Sequence, residues 1–442
     1  MPKSSSIPGN AVHALLPTTF LVVTLILLLV TLTPLLRAQT FTVLHDFTGG
    51  DDGGAPWSGL TPGPQGSFYG TTWSGGQRSS DCVDSGCGTL FRLSKSGSGW
   101  DYSVIHTFLG GSDGAGPWAR VVFGPNGALF GTTSAGGVGG CQIYGDHLGC
   151  GIVFKMVPPN PVGPNTRNHG APMPITSVYT FLNGDDGAIP GFGDLIFDPA
   201  GNMYGTTVYG GWSGYGAVYE ISPSGQGWTE RDLYGFSDGT DGGMPYAGVL
   251  RDGRGNLYGG TIDGGDWNCW AGTCGVLYQL VPSAGGWTDN TIFTFHDTGA
   301  GTSPAGSLIS DSSGNLYGST SSYSTIDGGT VFVLQPQQNG WSLTVLCSFN
   351  AGGEGPYANL VMSVSGDLYG TTYGDGEFGA GTVFKVSHSS GGWTCASLHD
   401  FTGASDGGLP ISSVSIDGQG NLYGTASSGG AYGQGVIWEI TP

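Results

Sequence analysis

The side chains of this 442-residue sequence that could do chemistry are carboxylates, aromatic rings, histidines and cysteines, and most of them recur in register. Five segments carry Asp-Gly-x-x-Pro: Asp52 to Pro56, Asp113 to Pro117, Asp186 to Pro190, Asp241 to Pro245 and Asp406 to Pro410. Asp-Gly before Pro is a turn that feeds an extended segment. Brought to one opening, five such carboxylates would suit a cation that takes oxygen ligands, calcium above all. Dense Asp-x-Asp-x-Asp loops are absent, so the sequence requires no cofactor. The aromatics after the prolines are less uniform: Trp57, Trp118, Phe192, Tyr246 and Tyr357, with Trp73, Tyr209, Trp212, Tyr215, Trp267, Trp270, Tyr323, Tyr373, Phe378 and Tyr432 in glycine-rich loops. A ring can stack on the apolar face of a sugar while Asp, Asn or Ser engages its hydroxyls. Trp57, Trp118, Tyr246 and Tyr357, with Asp52, Asp113, Asp186, Asp241 and Asp406, are therefore the candidate binding residues. The structural alternative is that the rings fill gaps between repeats.

Signals for catalysis are weaker. His45, His106 and His399 share one repeat slot with Tyr179 and Tyr234, which marks them as packing residues. His147, His169, Glu354 and Glu377 break the pattern and are better acid/base candidates, yet no spacing ties them to a nucleophile or a metal. A carboxylate pair for glycoside cleavage is defined by a spatial separation that sequence does not give. With 87 glycines, matches to Gly-x-Gly-x-x-Gly carry no information. No catalytic residue is assigned.

Six of the eight cysteines form short pairs, Cys82 with Cys87, Cys141 with Cys150 and Cys269 with Cys274, all in one repeat slot. Zinc thiolates are the competing reading, but these pairs belong to separate repeats and an exported chain favours disulfides. Closing such short loops contributes only about 2 kcal/mol each. Cys347 and Cys395 occupy outer strands of successive units and are offset in register, which leaves their pairing doubtful.

The elements that must position these residues follow from periodicity. An aromatic-glycine pair recurs at Tyr69-Gly70, Phe130-Gly131, Tyr204-Gly205, Tyr258-Gly259, Tyr317-Gly318, Tyr369-Gly370 and Tyr423-Gly424, most of them about 52 to 61 residues apart, the size of a propeller blade. The stretch Pro245 to Phe295 parses into four short strands, of which Leu257 to Thr261 is the second and Gly275 to Leu280 the third. The chain opens with a lone fourth strand, Phe41 to Phe47, and ends after a third strand at Ile440. The spacing predicts an all-β, seven-bladed β-propeller of four-stranded antiparallel blades over residues 39–442, with 41–47 closing the last blade against 435–440. Closure removes free sheet edges, and a closed ring of this kind is read as a monomer. The Pro- and Asn-rich stretch from Pro158 to Pro174 is a surface-loop insertion.

Residues 1–38 differ in kind, with an apolar run from Leu15 to Leu36 and a small residue, Ala38, for cleavage before Gln39. They read as an export signal. A run of about 22 residues could also serve as an uncleaved anchor, the one route to the membrane this sequence suggests. The expected location is secreted, extracellular or periplasmic. A net charge of −20 with only 12 Lys and Arg makes nucleic acid a poor partner.

The Gly-Asn-Leu-Tyr-Gly-Thr strand at Gly420 to Thr425, the Gly-Thr-Val-Phe strands at Gly329 to Phe332 and Gly381 to Phe384, and the Trp-x-x-x-x-Leu-x-x-Phe pattern at Trp341 to Phe349, with their counterparts along residues 41–442, resemble the choice-of-anchor tandem-repeat GloVer (Gloeo/Verruco repeat) family. The resemblance implies an exported, propeller-like protein and brings no catalytic residues. This chain ends at Pro442 without the hydrophobic sorting tail the family name suggests, so a released protein, or one held by residues 15–36, is expected. The reading favours a module that binds extracellular glycan or a cell-surface partner through the aromatic, acidic loop face. The alternatives are a polysaccharide-cleaving enzyme on that face and a structural or adhesive repeat protein.

Overall fold

A computed structural model describes residues 39–141, 148–158, 173–190, 192–225, 227–267, 269, 274–296, 299–321, 328–350 and 355–442. Residues 1–38, His147, His169, Trp270, Tyr323, Glu354 and most of the Pro- and Asn-rich insertion lie outside them. The unit Phe41–Thr441 is a seven-bladed β-propeller, each blade a four-stranded antiparallel sheet. Numbered in chain order, blades 1 to 7 have inner strands that begin at Thr61, Val122, Ile196, Leu250, Ile309, Val361 and Ser415.

Blade 4 illustrates the build. Its strands are Leu250–Arg251, Leu257–Thr261, Val276–Ser283 and Gly286–Thr294, in that order from the channel outward. The second strand is buried at every position, and its central Gly259 faces Tyr278 of the third strand. A Cβ on Gly259 would stand 2.3 Å from the Tyr278 hydroxyl, and one on Gly424 would stand 2.3 Å from the Trp438 ring. The aromatic that each of these glycines admits thus comes from the adjacent strand of its own blade. The hairpin joining the first two strands is locked by side chains: Asp252 accepts the backbone N–H groups of Arg254 and Asn256, the Asn256 amide and the Tyr258 hydroxyl. Asp198, Asp311 and Asp417 do the same work in blades 3, 5 and 7. Despite desolvation, these donors hold all four aspartates below the ordinary carboxylate pKa.

The last blade is closed as the register at the two ends predicts. Strand Thr40–Asp46 pairs outside Val436–Thr441 in the order of a fourth strand, and Phe47 N donates to Gly435 O at 3.0 Å. Each of the seven outer strands is followed at once by a phenylalanine: Phe47, Phe108, Phe181, Phe236, Phe295, Phe349 and Phe401. All but Phe349 are fully buried.

Four disulfides are present. Cys82–Cys87, Cys141–Cys150 and Cys269–Cys274 staple loops as expected. Cys347–Cys395 corrects the doubt about its pairing, because offset contact is the rule between neighbouring outer strands. Cys347 lies two residues before Phe349, and Cys395 six before Phe401. The same two positions bring His45 onto Tyr102, with ring centroids 3.8 Å apart, and His399 onto Phe41, also at 3.8 Å.

Candidate functional site

Each blade's chain turns in from the outer strand, passes a proline and runs down the channel wall. The residue before that proline is held at positive φ in six blades: Gly116 in one, and the non-glycine Ala55, Ile189, Met244, Ser303 and Leu409 in the others. Non-glycine residues rarely adopt this conformation, least of all a β-branched one such as Ile189. The bend presents the following residues to the axis. A cavity of about 330 Å³ results, walled by Trp57, Trp118, Phe192, Tyr246 and Tyr357 at the positions just after the prolines, with Tyr373 beside them.

The wall is an aromatic arc. Trp73 stacks on Trp57 at 5.3 Å, Trp57 on Trp118 at 5.1 Å, Trp118 leans on Phe192 at 4.0 Å, and Phe192 stacks on Tyr246 at 4.2 Å. Across the channel Tyr357 meets Tyr373 edge to face. Blades 5 and 7 interrupt the arc with Ala305 and Ile411. The rings are not equally available: Trp118 is 4% exposed and braces its neighbours, whereas Trp57, Tyr246 and Tyr357 are half-buried and offer area to a ligand.

Below the arc lies a second ring of positions, Gly59, Arg120, Asp194, Gly248, Ser307, Asn359 and Ser413, one from each blade. Sequence reasoning missed it. Arg120 Nε and Nη2 donate to Asp194 Oδ2 at 2.8 and 2.6 Å, and Asn359 Nδ2 donates to the same oxygen at 2.9 Å. Asp194 belongs to blade 3 and Asn359 to blade 6, so this bond spans the lumen. Around it neighbouring inner strands touch through backbone: a Cβ on Gly59 would lie 2.6 Å from Ser413 O, and one on Gly306 would lie 2.5 Å from Ala358 O. The channel is therefore a cup with a polar floor. The signal that could have located it is asymmetry, since Arg, Asp and Asn occur once each at a position otherwise Gly or Ser.

The five candidate aspartates stand elsewhere. None lines the cup; each closes the turn after its outer strand. Asp52 accepts Thr48 N at 3.1 Å, Asp113 Leu109 N at 2.9 Å, Asp186 Leu182 N at 2.8 Å, Asp241 Ser237 N at 2.9 Å and Asp406 Thr402 N at 3.0 Å. Seven residues before each stands its second partner: His45, His106, Tyr179, Tyr234 and His399, at 3.1 to 3.2 Å. Among the described residues no group of three His, Cys, Asp or Glu is arranged to hold a metal ion. Glu377 is exposed on a loop, away from the cup. Trp212, Trp267, Phe378 and Tyr432 are exposed in the loops between second and third strands.

The sequence matches the Gloeobacter/Verrucomicrobia repeat over residues 29–269, 144–309 and 268–442, and the chain belongs to that family. No curated protein matches it. Among solved structures it is similar to the extracellular domain of a candidate one-component system from B. thetaiotaomicron, with 12% identity and a TM-score of 0.50, over 91% of this chain and 40% of that one. It is also similar to a candidate 6-phosphogluconolactonase from Bacteroides uniformis, with 15% identity and a TM-score of 0.47 over 77% of this chain and 83% of that one. At 12% identity the first of these likenesses is one of fold alone.

Proposed function

We propose that this Gloeobacter/Verrucomicrobia-repeat protein acts outside the cytoplasm as a binding module, and that its aromatic cup holds a sugar ring of an extracellular glycan. The observation that carries the reading is the pairing of a half-exposed aromatic arc with a single asymmetric polar floor. Repetition accounts for scaffold, but it does not account for Arg120, Asp194 and Asn359. A 330 Å³ cavity lies at the small end of ligand pockets, adequate for one or two sugar rings. Four disulfides suit an oxidising compartment, and among the described residues no helix is long and apolar enough to cross a membrane.

Binding is favoured over glycoside cleavage by one feature of the floor. Its one carboxylate among the described residues, Asp194, is ion-paired with Arg120 and accepts four hydrogen bonds, and cleavage ordinarily needs two carboxyl groups free to act as acid and as base or nucleophile. The test is a glycan array probed with the purified protein, followed by calorimetry of wild type, Trp57→Ala and Tyr357→Ala. Each substitution is expected to weaken binding by about tenfold, roughly 1.4 kcal/mol. An array on which no saccharide is retained overturns the reading.

A further inference from the structure

We infer that the floor of the cup selects an uncharged, hydroxyl-bearing ring and rejects the corresponding uronic acid. This rests on the reading of the cup as a sugar site and adds the chemical class of the sugar. Asp194 is 9% exposed and accepts four hydrogen bonds: Arg120 N at 3.0 Å on Oδ1, and Arg120 Nε, Arg120 Nη2 and Asn359 Nδ2 on Oδ2. The Asn359 carbonyl is committed as well, accepting Ser307 N at 2.7 Å. Asp194 Oδ2 is thus filled by three protein donors, while Asp194 Oδ1 and Asn359 Oδ1 each accept one. The groups with most left to give a ligand are donors: the Arg120 Nη1 group, which bonds to no atom of the described residues, and the second hydrogens of Nη2 and Asn359 Nδ2.

Such donors would suit either a hydroxyl oxygen or a carboxylate, and charge decides between them. The guanidinium lies 2.6 Å from the Asp194 carboxylate, so the floor is a neutral ion pair. A ligand carboxylate brought to Arg120 would face Asp194 across the same cation and enter a chain whose net charge is −20. It would lose its hydration for little return. Ring and hydroxyl oxygens accept from Nη1 without that penalty, while the Trp57 and Tyr357 faces take the apolar side of the ring.

The experiment titrates the purified full chain by calorimetry with matched pairs that differ only at the terminal carbon, galacto- against galacturono-oligosaccharides and gluco- against glucurono-oligosaccharides. Wild type is expected to prefer the neutral member of the pair it binds by at least about tenfold. Asp194→Asn leaves Arg120 without its anion and is expected to reverse that preference. Arg120→Gln, the second variant should Asp194→Asn fail to fold, is expected to weaken neutral-sugar binding without gaining the uronate. Wild type binding the uronate as tightly as the neutral sugar overturns this inference and leaves the cup reading standing, as does an unchanged preference in a folded Asp194→Asn. Binding of neither class overturns the cup reading itself.

Discussion

Single side chains at the seams between blades carry most of this molecule's unusual electrostatics. In the contact between blades 2 and 3, Tyr179 donates to Asp186 at 3.2 Å and also reaches Glu230 at 3.4 Å. Desolvation, then the charges of Asp232 and Asp186, push Glu230 up to about 8, and Asp232 is raised too, again chiefly by burial. The next seam repeats the arrangement with Tyr234, Asp241 and Asp289, where burial and then Asp241 push Asp289 up to about 6. A carboxyl whose pKa is raised by folding is a source of stability at low pH that is lost as pH climbs from the unfolded to the folded value. For Glu230 that window runs from about 4.5 to about 8. His45 and His399 act oppositely: burial lowers both, so their protonation as pH falls below 6.5 destabilises the fold. Comparing variants separates the two effects. Glu230→Gln is expected to melt close to wild type at pH 5 and progressively above it as pH rises to 8, by scanning calorimetry. A melting difference that stays flat with pH would remove Glu230 as the source.

At the scale of strands, one rule governs the outer rim: the residue two before the terminal phenylalanine of one blade meets the residue six before that of the next. The rule is filled by stacked rings in two seams, by acid and tyrosine in two more, and by Cys347–Cys395 between blades 5 and 6. This cross-link closes a loop of 48 residues. In the chain-entropy account that is worth about 4 kcal/mol, against about 2 for the short loop disulfides. Cys347→Ser with Cys395→Ser should therefore lower the denaturant midpoint clearly more than Cys82→Ser with Cys87→Ser, measured on both double variants at fixed pH. Much of this was legible in the sequence. The His or Tyr seven residues before each Asp is visible as a coupling within one chain, since Phe293 replaces it where Ala300 replaces the Asp. The offset of the cysteines also holds the answer to their pairing, but only once the contact between blades is known. The cup floor could not be read so directly. Inner strands are two residues long, too short for alternation to mark a face, and Asp194 finds its partners 74 and 165 residues away.

For the whole molecule, stability depends on the ring being shut. Phe47, from the first strand, is fully buried against Phe91 and Tyr102 of blade 1 while its own strand belongs to blade 7. Phe236 fills the equivalent place within the middle of the chain. If closure is fully formed, Phe47→Ala and Phe236→Ala should cost alike, about 3–5 kcal/mol each. A Phe47→Ala variant that unfolds near the wild-type denaturant concentration would show instead that the seam contributes little. The floor that spans the lumen has its own consequence for how the protein would count its ligand. A through-channel could be threaded by a polymer and occupied anywhere along it, but a blind cup accepts only a tip. Bound protein should then track the number of chain termini in a preparation and not its mass, so that shearing or enzymatically nicking a polysaccharide at constant weight multiplies the sites this propeller can occupy.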